Sequence, residues 1–177
     1  MAQRRHLPVL SNDPPPADAN PEGEDARPPW HWVGFGTVAI FAAWLPLAYV
    51  AGAASAKVMA SRFGADASRD AIDLALAAMT SGERARLMAT VALPNILGLA
   101  LASFGGGFVV GRFGSGTGVR EAAMSGGVAA FIASAMAYAG PTAATLIAAA
   151  VTFAVAIGFA AWGGRVGASR RSAREAA

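Results

Sequence analysis

Three stretches of this chain, residues 28–56, 87–111 and 122–164, contain no Asp, Glu, Lys or Arg. No other feature restricts the fold as severely. A helix crossing a bilayer needs about 20 mostly apolar residues, whereas a soluble domain seldom runs that far without a solvated charge. Of 177 residues, 14 are basic and 11 acidic, so charged residues make up 14%, against roughly 25% in an ordinary soluble domain. Mean hydropathy is +0.45. The expected fold class is all-α: a polytopic membrane protein, with a four-transmembrane-helix bundle, a disordered N-terminal tail and a short amphipathic helix in the first loop.

The block lengths set the number of crossings. The first block begins at Trp30-His31-Trp32 and can remain helical to Phe63, where Gly64 offers a C-cap. Such a helix is about 50 Å long against a hydrocarbon core of about 30 Å, and Pro46 inside it predicts a kink. The second block is a single span, preceded by Thr80-Ser81-Gly82-Glu83, which has the spacing of a capping box. The third block would be about 64 Å long as one helix, twice what one crossing needs. It must fold back, and Gly140-Pro141 marks the turn. The expected spans lie near 33–55, 88–111, 120–139 and 142–164.

Seven of the ten prolines fall in residues 1–29, among acids at Asp13, Asp18, Glu22, Glu24 and Asp25. That composition cannot bury a core, so a disordered tail is expected. Ala51-Gly52-Ala53 and Ala54-Ser55-Ala56 offer signal-peptidase spacing, but the leader is long and acidic and the apolar run exceeds an h-region, so the tail is expected to be retained. Residues 30–167 then form the membrane domain and 168–177 a basic C-terminal tail. Nine basic residues flank one face of the spans and five the other. This bias predicts a multi-pass membrane protein with both termini cytoplasmic. Trp30, Trp32 and Trp162 fall at one boundary, Tyr49 and Tyr138 towards the other. Because the basic residues sit at block ends, the pI near 10.2 is a mark of sidedness, and no nucleic-acid partner is expected.

Small residues recur every fourth position within the spans: Ser103, Gly107, Gly111; Ala122, Gly126, Ala130, Ser134; Ala150, Ala154, Gly158. Such ridges let backbones approach closely, so dispersion contacts replace the hydrophobic drive that lipid does not supply. Ser103, Gly107, Gly111, Gly126, Ala130 and Gly158 are the expected helix-packing residues.

Chemistry-bearing residues are scarce. There is no Cys, and the two histidines are His6, in the tail, and His31, between tryptophans. Gly105-Gly106-Gly107 through Gly118 lacks the GK[ST] ending of a P-loop and the spacing of a dinucleotide fingerprint. Arg112 and Glu121 flank that turn as an exposed pair of small energetic weight. No cofactor, metal or catalytic residue is expected, and the chain is read as a non-enzyme. Asn95, beside Pro94, is the most notable polar residue within a span. It is expected to satisfy carbonyls freed by the proline or to bond a neighbouring helix. In the first loop, a helix from about Ala67 to Met79 places Ile72, Leu76 and Met79 on one face and Asp70 and Asp73 on another, as a bundle cap or a partner-binding face.

The hairpin Gly105-Gly-Gly-Phe-Val-Val-Gly-Arg112 followed by Gly118-Val-Arg-Glu-Ala-Ala-Met-Ser-Gly-Gly127 resembles the glycine-rich hairpin of uncharacterised small four-span bacterial inner-membrane proteins. The resemblance implies a prokaryotic inner membrane and no particular activity. The expected function is association within the bilayer, with itself or as an accessory or assembly subunit of a membrane complex. The alternative is an oligomeric channel, transporter-like or holin-like conduit for ions or small solutes.

Overall fold

A computed structural model describes residues 30–114, 118–137, 140 and 142–175. The expected tail 1–29, Tyr138 and Pro141 lie outside these residues. The elements are α1 (Trp30–Phe63), α2 (Arg69–Ala78), α3 (Ser81–Phe113), α4 (Gly118–Met136) and α5 (Ala143–Glu175). Among the described residues, α1, α3 and α5 are long and apolar enough to cross a membrane, with mean hydropathies of 1.8, 1.8 and 2.2 over their spanning windows. The protein is an all-helical membrane protein. The fourth long helix, α4, has 19 residues and carries Arg120 and Glu121 in its first turn.

Local chemistry sets the helix ends. Gly64 adopts φ +95 and donates its N–H to Ala60 at 2.9 Å, closing α1 in a conformation that favours glycine. Ser68 caps α2, its hydroxyl oxygen accepting from the Ala71 N–H at 3.3 Å. The capping box at Thr80 is complete: Thr80 Oγ1 accepts from the Glu83 N–H at 3.3 Å, while the Thr80 N–H donates to Glu83 Oε2 at 3.1 Å. Hydrogen bonds from the Thr80 hydroxyl and N–H hold the Glu83 carboxyl below the usual carboxylate range. Between α4 and α5, Gly140 turns the chain with φ +126, and Thr142 accepts from the Thr145 N–H at 3.2 Å.

Two boundaries differ from the sequence reading. Residues 168–175 are the last turns of α5 rather than a separate tail. Arg165 interrupts the uncharged run but not the helix, since arginine is a good helix former. Glu121, expected at the surface, is only 7% exposed. Because α4 starts at Gly118, whose Cα side lies against Gly111, its first turn is drawn into the bundle.

The interior is built from small residues. Its buried hydrophobic residues are alanines, apart from Ile40, Leu99 and Val110, while large side chains point outward: Tyr49 is 81% exposed, Met136 80% and Phe131 66%. A soluble domain buries its large aliphatics instead. Here the outward layer matches lipid, and close backbone approach holds the helices together. The central helix is α3, which packs on α1, α4 and α5; α4 also touches α1 and α5, and α2 makes only sparse contact with the rest.

Helix direction follows from the register. Gly107 lies against Ala160 and Gly111 against Gly164, so α3 and α5 run parallel. Gly126 lies against Ala156 and Gly164 against Gly118, so α4 runs antiparallel to α5.

Candidate functional site

At one end of the bundle the helices meet backbone to backbone. A methyl group at Gly107 would collide with the carbonyl of Ala160, and one at Gly111 with that of Gly164. The contact is reciprocal, for Gly163 faces the Phe104 carbonyl and Gly167 the Phe108 carbonyl. On α4, Gly126 faces Ala156, and Ala130 is fully enclosed beside Leu99 and Ala156. Ser103 is also fully enclosed, and its hydroxyl has no hydrogen-bond partner among the described residues.

Gly158 does not join this packing. A methyl group there would meet open space. It lies two residues from Ala156, about 200° around the helix, so the turn that buries Ala156 points Gly158 outward. The residues that do the packing on α5 are Ala156, Ala160, Gly163, Gly164 and Gly167. Their signal was present as Ala160-x-x-x-Gly164 and Gly163-x-x-x-Gly167, but it straddles Arg165 at the edge of the uncharged block.

Polar side chains cross-link α1 to its neighbours at both ends. Near the glycine end, the Ser125 hydroxyl reaches the carbonyls of Glu121 at 2.8 Å and Val33 at 3.1 Å. Thr37 reaches Val33 at 2.8 Å and the Ser125 carbonyl at 3.4 Å. This works only because residue 36 is glycine, where a methyl group would strike Ser125 Oγ. Nothing in the sequence singled out this α1–α4 junction, since isolated hydroxyls in apolar helices usually bond their own preceding turn.

No family model, curated protein or solved structure matches this chain. Function must therefore be read from its own residues.

At the opposite end, Asn95 Nδ2 donates to the Val91 carbonyl at 3.1 Å and to Ser55 Oγ at 3.4 Å, and the Ser55 hydroxyl donates to Val91 at 3.0 Å. Pro94 frees the carbonyl of Thr90, four residues earlier. Asn95 stands one position later, so it reaches Val91 instead and spends its second proton on α1. A shallow apolar depression lined by Ala89, Thr90, Ala92, Leu93 and Ile96 opens on α3 close by.

On α2, which is shorter than the expected Ala67–Met79 helix, Ile72 and Leu76 are half-buried and Leu74 is exposed, while Met79, also half-buried, is its extended C-cap. The end of α2 is tied to α3 by the Arg84 guanidinium, which donates to the Leu76 carbonyl at 2.6 Å. The sequence grouped these residues on one face; in the fold α2 makes only sparse contact with the other helices. Among the described residues no His, Cys, Asp and Glu cluster could hold a metal.

Proposed function

We propose that this chain is a small non-enzymatic four-span protein of the bacterial inner membrane, acting by association as an accessory or assembly subunit. The observation that carries this reading is the use of its intramembrane polar groups. Thr37, Ser55, Asn95 and Ser125 are spent on helix–helix hydrogen bonds, rather than gathered around an opening or a reacting centre. The fourth span is α4. Two parallel crossing helices, α3 and α5, require the chain to return between them, and α4 at about 28 Å is long enough. The basic bias then puts both termini in the cytoplasm, and α2 on the other side offers Ile72, Leu76 and Met79 to a partner.

The conduit is the competing reading, with Asn95 as a lining group. Purification in mild detergent, followed by liposome flux, separates the two. Association predicts that Ile72→Ser, Leu76→Ser and Met79→Ser together lose a co-purifying membrane protein while Asn95→Leu retains it, with no flux from either. Flux from the wild type that disappears in Asn95→Leu would overturn the reading. In the same cells, membrane-impermeant reagent is expected to label Ser68→Cys but to leave Ser115→Cys unlabelled until permeabilisation; the reverse would overturn the topology.

A further inference from the structure

Arg112, Arg120, Arg165, Arg170 and Arg171 all belong to the end of the bundle where α3 and α5 finish and α4 begins. Arg171 is tied to the turn, donating to the Gly114 carbonyl. Arg112 and Arg170 are placed differently. Gly167 packs on the Phe108 carbonyl and the Arg112 backbone nitrogen, so this close approach of α3 and α5 brings the two arginines to one seam. The Arg170 guanidinium stands 5.7 Å from the Phe108 ring centroid and that of Arg112 5.9 Å from Phe113. Further into the span on the same margin, Phe104 meets Trp162 edge-on at 5.2 Å and Phe159 lies 5.8 Å from it. Trp162 is 57% exposed.

The seam therefore grades from an outward aromatic surface to two cations. A guanidinium held over a ring keeps N–H groups for a bidentate acceptor such as phosphate. A tryptophan such as Trp162 favours the membrane–water boundary, where its ring lies beside the first methylenes below the headgroups. Charge at this end is predominantly basic: Asp66, Asp70, Asp73 and Glu83 lie around α2, Glu121 is buried on α4, and Glu175 closes the last turn of α5. A soluble anion would use the cations and leave the rings uncovered, whereas an amphiphile uses both.

We propose that the α3/α5 seam binds an anionic phospholipid, with its phosphate held by Arg112 and Arg170 and its first methylenes against Phe104, Phe159 and Trp162. This goes beyond the association reading and requires only that α3 and α5 cross a membrane.

The test uses the full-length protein in a zwitterionic detergent, with bound lipid counted by native mass spectrometry on the folded species. Phosphatidylglycerol, phosphatidylcholine of the same chains and glycerol 3-phosphate are titrated separately. Retention of phosphatidylglycerol alone is expected. Arg112→Gln with Arg170→Gln should weaken it about 25-fold, taking about fivefold per surface guanidinium, whereas Arg69→Gln with Arg86→Gln at the other end should match wild type. Equal retention of both lipids, equal loss in the two double variants, or binding of glycerol 3-phosphate would each overturn the proposal. So would an inert wild type that gains phosphatidylglycerol binding once Asp13, Asp18, Glu22, Glu24 and Asp25 are changed to amides, since the arginines would then belong to the chain's own acidic segment.

Discussion

Helix α3 meets its neighbours by different means at the two ends of the bundle. Around Gly107, Gly111, Gly163, Gly164 and Gly167 the backbones touch with no side chain between them. Around Asn95 and Ser55 the helices are linked through side-chain hydrogen bonds, and a methyl group added at Gly98 would meet Leu47 at an ordinary 3.4 Å. Packing against a backbone cannot relax around an added group, because nothing there has a rotamer to change. A side-chain link can be lost while the helices stay where they are. The glycine end should be brittle and the Asn95 end tolerant.

The largest effect is expected from Gly107→Leu, which must force α3 away from Ala160 and cost at least about 3 kcal/mol, the upper part of the overpacking range. The counterpart on the outward face, Gly158→Ala, meets open space and should gain about 0.5–1 kcal/mol from reduced backbone freedom. Thermal aggregation midpoints in detergent measure both. Equal midpoints would mean that the ridge is an accident of an alanine-rich composition.

A smaller loss is expected at the other end. Asn95→Leu removes one interhelical bond and should cost about 0.6 kcal/mol, the typical value for a hydrogen bond between membrane helices. A loss as large as that of Gly107→Leu would erase the contrast between the ends.

The smallest effect is local and depends on pH. The Glu83 carboxyl is held down by the Thr80 hydroxyl and N–H, so its capping contribution is complete above the ordinary glutamate value of about 4.3. It fades as pH falls through the lowered value, because the protonated acid gives up the carboxylate hydrogen bonds. Amide exchange over residues 80–84, corrected for intrinsic rates, should accelerate in that acidic window in wild type and be insensitive to it in Glu83→Gln. No difference between the two would remove the capping box as the cause.

Much of the local structure was legible beforehand because it depends on neighbours in sequence. The uncharged blocks marked the long helices, Gly64 and Gly140 marked chain turns, and the spacing of Thr80 and Glu83 marked the start of α3. The α2 helix was visible in Ile72 and Leu76, although its sparse contact with the other helices was not. For the packing residues the sequence supplied candidates without choosing among them: Gly107, Gly111 and Gly126 face neighbouring backbones, whereas Gly158 with the same spacing does not.

By itself, then, the sequence determined that the chain is helical, apolar and suited to a membrane, since helix propensity, capping and charge-free length are properties of one segment at a time. Only the tertiary structure decided how each helix is rotated. In these alanine- and glycine-rich helices nearly every face is apolar and several carry small residues, so no face is marked as interior. The choice belongs to the neighbouring helix. It fell on Ala156, Ala160 and Gly164 instead of Gly158, paired Thr37 with Ser125 across α1 and α4, and brought Arg112 and Arg170 to the same seam.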